Sequence, residues 1–269
     1  MTICIEVALK AEATPLIEAF KLKPLAGNPL FPIYENEDLK LIISGVGKIK
    51  AGAACSYLAG IHRDEDIYGW LNVGVGGHRS FPIGTPVLIN QVIDGARKTK
   101  HYPSIVFDPP CRTEGCITVE NPEHTYPLQA VYDMEAAGFY PIASKISPLE
   151  MIHIFKVISD NASHPATEVT KKDVQAHISN HLDIIRTILG EMHAMIEEIA
   201  PEKTPFLEEF IKRWHFTTCE TLQLKKLLQR WQLLCPDQIL LSHTLLEKRS
   251  AQEVLAHLKN HIESIPLEL

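Results

Sequence analysis

Long apolar runs are missing from this 269-residue chain, and none reaches the length of a bilayer-spanning helix. The start, Met1-Thr2-Ile3-Cys4-Ile5-Glu6, lacks the basic and apolar character of a secretory leader, so a cytoplasmic protein without membrane contact is expected. Cysteine is scarce. Six thiols, at positions 4, 55, 111, 116, 219 and 235, are too few for a disulfide scaffold. Cys4 and Cys55 fall in apolar runs and read as small buried hydrophobes. Cys111 and Cys116 share a loop without a second pair at metal-ligand spacing, so reduced thiols fit better than a zinc site. Excess positive charge is lacking too: a net charge of -7 and a pI near 6.0 give nucleic-acid phosphates and anionic lipids nothing to attract. Neither nucleic acid nor membrane is expected as a partner. Repeats and low-complexity tracts are absent as well.

What is present is an alternation of strand and helix signals. Residues 2–9, 39–46, 68–73, 85–93, 115–120, 129–132 and 151–158 read as strands. Helices are expected from Thr14 to Phe20, over 48–60, over 134–145 with a kink near Pro141, and over 170–199. The last carries Ile178, Leu182, Ile185, Leu189, Met192 and Ile196 on one face. Gly74-Val75-Gly76-Gly77 reads as a turn ending the third strand. The pattern implies an α/β fold, a three-layer αβα arrangement around a central mixed twisted sheet. After Ala200-Pro201 the signals become helical only, over about 204–215, 219–234, 237–247 and 250–263. Nine Lys/Arg balance nine Asp/Glu there, so the acidity belongs to residues 1–200. The expected organisation is one α/β domain over 1–200 and an all-helical extension over 201–269, an appendage or oligomer contact.

Three acids stand at the ends of apolar segments: Glu12 after Ile3–Leu9, Glu135 within Ala130–Gly138, and Asp160 after Ile152–Ser159. Carboxylates are seldom buried without a partner or a task. In α/β sheets ligands gather at strand ends, where all three fall. Each also has a plain structural reading. Asp160 could cap a helix, and Glu12 and Glu135 could sit in a first helical turn.

Five segments in order resemble the nucleoside phosphorylase superfamily, and most closely its methylthioadenosine/S-adenosylhomocysteine nucleosidases. They are Ala8–Ala13, Ser44–Lys48, Asn72–Gly77, Asp133-Met134-Glu135-Ala136 and Val157-Ile158-Ser159-Asp160. Together they span residues 1 to about 200, and residues 201–269 match nothing. The resemblance implies cleavage of a purine N-glycosidic bond. Asp160, with Ser159 beside it, would be the general acid that protonates the leaving base. Glu12 would orient or deprotonate water. Glu135 would grip the ribose hydroxyls with Met134 against the sugar face. Gly47, Gly74, Val75 and Gly76 would line the same hollow. It implies no metal or organic cofactor, a small nucleoside as ligand, and a homodimer or larger assembly.

Lys156 stands where the family usually has arginine, keeping the charge without the bidentate fork. Val75 replaces a hydroxyl residue, and Thr118–Pro122 lacks the aromatic side chain that would stack on a base. No arginine lies in Ser44–Lys50, and Arg79 is the only one near the glycine segment. A phosphate cradle is therefore poorly supplied, and retention of Glu12 favours water. Hydrolysis is the expected reaction. A phosphate-dependent phosphorylase and a non-catalytic nucleoside-binding module are the alternatives.

Overall fold

A computed structural model describes residues 2–27, 29–62, 67–199, 206–234 and 243–265. The chain divides into two compact units, Met1–Glu198 and Ile199–Leu269.

Among its described residues the first unit is built on ten strands: β1 (Thr2–Val7), β2 (Lys23–Pro24), β3 (Ile33–Glu35), β4 (Leu39–Ile43), β5 (Ile67–His78), β6 (Pro86–Asp94), β7 (Lys100–His101), β8 (Arg112–Thr118), β9 (Val131–Asp133) and β10 (Ile152–Asp160). Around them lie α1 (Lys10–Ala19), α2 (Lys48–Ile61), α3 (Ala136–Ala143), α4 (Lys171–Ser179) and α5 (Leu182–Ile199). β5 pairs in parallel with β1 and β10 and antiparallel with β9. β10 pairs antiparallel with β6, β6 in parallel with β8, and β8 in parallel with β9. The path β5-β10-β6-β8-β9 therefore returns to β5 and closes a ring, which removes the open edges that strands otherwise expose. From the ring, β1, β4, β3 and β2 extend as an open sheet.

Residues along a strand alternate between faces, and both faces of this sheet are covered. That is why β1 and β10 read as continuous apolar runs: every residue of each is buried. On one side Cys4, Ile42, Trp70 and Ile154 pack with Ala51 and Leu58 of α2 and Phe139 of α3. The two helices touch backbone to backbone, since a Cβ on Gly138 would lie 2.0 Å from the Lys48 carbonyl oxygen. Ile3, Ile5, Leu41 and Leu71 alternate with that set, and α1 and α4 pack together over the sheet. These are the mixed sheet and helical layers expected of the fold.

Three local expectations are corrected. The glycine segment is not a turn: β5 runs through it to His78, with Gly74 and Gly76 registered against Lys156 and Ile158 of β10. Neither has positive φ. What their lack of a side chain provides is room for neighbours. The long helix over 170–199 is two helices, because the chain turns at Asn180-His181. The His181 ring there bonds the Gly84 carbonyl at 2.7 Å. The first helix begins at Lys10 rather than Thr14, which puts Glu12 in its first turn.

The second unit holds α6 (Leu207–Arg213), α7 (Thr218–Leu234), α8 (His243–Leu246) and α9 (Ala251–Glu263). Phe210, Trp214, Leu224, Leu228, Trp231, Leu258 and Ile262 form its core. The expected helix over 237–247 falls partly outside the described residues. No helix of the described residues is long and apolar enough to cross a membrane.

Candidate active site

Parallel strands β1, β5 and β10 point their carboxyl ends the same way, and a cleft of about 270 Å³ opens there. Glu12, Glu135 and Asp160 all line it, together with Met134, Ser159, Val75 and Gly76. Ala8, Leu9, Val46, Val119, Pro122, Val169 and Val174 supply apolar wall. The three acids are 3%, 6% and 7% exposed, so bulk water does not surround them.

Glu12 serves the helix and the cleft at once. One carboxylate oxygen accepts the Leu9 N–H at 2.8 Å, closing the first turn of α1. The other accepts the Val75 N–H at 3.1 Å across the sheet. Val75 thus contributes its backbone donor where its side chain has none. Burial pushes the Glu12 carboxyl up to about 7, against the opposing pull of Lys156 and the two N–H groups.

Glu135 follows β9 and begins α3. Its Oε1 accepts the Gly47 N–H at 2.9 Å. Gly47 reaches this position with φ of 112°, a backbone conformation that side chains rarely tolerate. Burial also lifts Glu135, to about 8; Lys156 opposes that, while Asp133 and Glu12 add to it.

Lys156 lies behind the wall, 1% exposed, with Nζ 2.9 Å from Asp133 Oδ2 and 3.9 Å from Glu135 Oε2. Burial alone would pull its ammonium down, but Asp133, Glu135, Cys116 and Glu12 outweigh that and raise it. Burial acts on Asp133 in the unfavourable direction, yet Lys156, Thr118 and the Ala136 N–H hold it below the usual range. The Thr118 hydroxyl donates to Asp133 at 2.7 Å and the Ala136 N–H at 2.8 Å. The lysine is therefore committed to an internal ion pair.

Asp160 closes β10. Ser159 Oγ donates to its Oδ1 at 2.5 Å, and the Tyr126 hydroxyl donates to its Oδ2. A Cβ on Gly77 would stand 2.3 Å from Asp160 Oδ2, so only glycine fits there. A Cβ on Gly74 would come within 3.0 Å of Glu12 and 3.2 Å of Lys156 Nζ. Gly47, Gly74 and Lys156 thus contact the acids without lining the cleft themselves.

Four contributors escaped the reading of the sequence. Asp133, beside Met134, is the partner of Lys156. Tyr126 and Tyr132 supply aromatic lining that Thr118–Pro122 lacks. Glu6, inside β1, is fully buried between Ser44 at 2.5 Å and Asn72, and burial raises its carboxyl. Its signal was visible: a lone acid in the middle of Thr2–Val7.

Family models and curated proteins searched with the sequence give no match. Solved structures do. The 5'-methylthioadenosine nucleosidase of Arabidopsis thaliana superposes with a TM-score of 0.60 at 16% identity, over 71% of this chain and 95% of that one. A Helicobacter pylori 5'-methylthioadenosine/S-adenosylhomocysteine nucleosidase gives 0.59 at 13% identity, over 71% and 98%. A futalosine hydrolase mutant from the same organism gives 0.56 at 12%, over 71% and 99%. The chain therefore has the fold of these nucleosidases and of the futalosine hydrolase. At such identities the likeness speaks for the fold alone.

Proposed function

We propose that this protein hydrolyses the N-glycosidic bond of a purine nucleoside or related thionucleoside. The observation that carries this is one cleft lined by Glu12, Glu135 and Asp160, with neither arginine nor lysine among the described residues that line it. A phosphate ion there would meet the carboxylates of Glu12, Glu135 and Asp160 and an otherwise largely apolar wall, and Lys156 is already paired to Asp133. Water carries no such penalty.

Glu12 is held by two backbone donors and lies near neutrality, which suits a general base. It takes a proton from water as the oxygen adds to the anomeric carbon. The glycosidic bond breaks and its electron pair moves onto the base. Asp160 gives the departing base a proton on a ring nitrogen, so that a neutral purine leaves. Glu135 accepts hydrogen bonds from ribose hydroxyls and, ionised, offsets the cationic charge that builds on the sugar. Met134 packs against the sugar face, with Ser159 and Gly76 at the leaving-base side. The products are free base and free sugar.

The test is a panel of purine nucleosides and 5'-thionucleosides incubated with and without phosphate. Base release without phosphate is expected. Release only with phosphate, together with a sugar phosphate, would make the protein a phosphorylase. Binding without release would leave it a ligand-binding module.

A further inference from the structure

Asp160 has both carboxylate oxygens engaged by hydroxyl groups from different parts of the chain. Ser159 is its neighbour on β10. Tyr126 arrives from the loop between β8 and β9, from 34 residues away in sequence. That loop is tied at several points. Glu120 pairs with Lys48 at 2.6 Å, at the first residue of α2. Glu123 Oε1 accepts the Thr125 N–H at 2.8 Å and its hydroxyl at 2.7 Å. The Leu128 N–H donates to the Tyr132 hydroxyl at 2.9 Å.

Tyr126 is 1% exposed, and its ring meets Tyr132 edge-on at 5.6 Å. It also fills the space that a side chain at Gly77 would need, since a Cβ there would lie 2.5 Å from Tyr126 Cε1. Its backbone adopts φ of 45°, a left-handed conformation that a bulky residue takes only when its surroundings impose it. Packing alone would not require the phenol oxygen to end on a carboxylate. A phenylalanine would cover the same apolar surface.

Resting on the reading of Asp160 as the proton donor, we propose that Tyr126 is a positioning residue for that donor, clamping its carboxyl group jointly with Ser159. The two hydroxyls hold the two oxygens, which fixes the plane of the carboxyl group relative to the leaving base. The tyrosine keeps its own proton. The transferred proton passes from Asp160 to the base nitrogen while the glycosidic electron pair moves onto the base.

The test compares wild type, Tyr126→Phe and Asp160→Asn on two substrates. One is an ordinary purine nucleoside. The other is its N7-methylated form, whose base is already cationic and leaves without being protonated. On the ordinary nucleoside, Tyr126→Phe should lower kcat roughly 10- to 100-fold, part of the roughly 10²- to 10⁴-fold that acid–base catalysis contributes, with KM little changed. On the methylated nucleoside both variants should turn over near the wild-type rate, which also shows that they fold. A slow Asp160→Asn beside a fully active Tyr126→Phe overturns the clamp alone. So does equal slowing of Tyr126→Phe on both substrates. A wild type silent on both nucleosides, or a fully active Asp160→Asn, overturns the reading of Asp160 and the clamp with it.

Discussion

Glu12→Gln removes a charge that the fold holds at a cost, and the size of that cost can be worked from the site. The residue is 3% exposed, and burial lifts its carboxyl from 4.5 to about 7. At about 1.4 kcal/mol for each tenfold change in proton affinity, ionised Glu12 costs the native state about 3 kcal/mol relative to the unfolded chain. The folded value lies above the unfolded one, so the native state binds this proton more tightly. The associated stability is fully present below 4.5 and is lost as pH rises through about 7. Glutamine has the same shape and no proton to lose. Relative to wild type, Glu12→Gln should therefore gain about 3 kcal/mol between acid pH and about pH 8. Amide exchange of peptides from β1 and β5, with the two proteins compared at each pH, reads this locally. The same substitution should slow turnover by roughly 10²- to 10⁴-fold, because an amide cannot accept the proton of water. A stability difference that does not vary with pH would refute the burial argument. Undiminished turnover would refute the general-base role.

The pH profile of kcat/KM should rise through the range from about 7 to about 8, where Glu12 and Glu135 lose their protons, and a profile flat across that range would contradict it. Lys156→Met leaves the buried Asp133 without its cation and should cost roughly 3–5 kcal/mol in thermal unfolding, part of it recovered by adding Asp133→Asn; a melting temperature equal to wild type would sink that account. Gly77→Ala places a methyl 2.3 Å from Asp160 Oδ2 and 2.5 Å from the Tyr126 ring, so both must move. It should destabilise by roughly 1–3 kcal/mol and depress kcat, and an active, equally stable variant would show that the site is looser than its geometry implies.

How far the sequence could be read depended on whether the signal was local. β1 and β10 announced themselves as unbroken apolar runs, because strands covered on both faces tolerate little else. Acids directly following such runs stood out for the same reason, and Glu12 and Asp160 were found that way. Asp133 was overlooked because its meaning lies in Lys156, which reaches it across the sheet through a strand order that only coordinates reveal. Tyr126 sits in an irregular loop with no periodicity, and nothing near it in sequence points to Asp160. The glycines at 74, 76 and 77 looked like a turn because small residues usually mean chain reversal. Here they mark close approach of Glu12, Tyr132 and Asp160 to a strand that continues. The break at Asn180-His181 was hidden by helical spacing that persists across it from Ile178 to Ile185. What ends the helix there accompanies a long-range bond from His181 to the Gly84 carbonyl.

The decisive measurement is isotopic. Purine nucleoside is turned over in ¹⁸O-labelled water without phosphate, and the released sugar is weighed by mass spectrometry before its anomeric oxygen exchanges. One labelled oxygen on the sugar, with none on the base, is the predicted result. Release of base without label in the sugar, or no release until phosphate is added, would mean that water held at Glu12 is not the nucleophile.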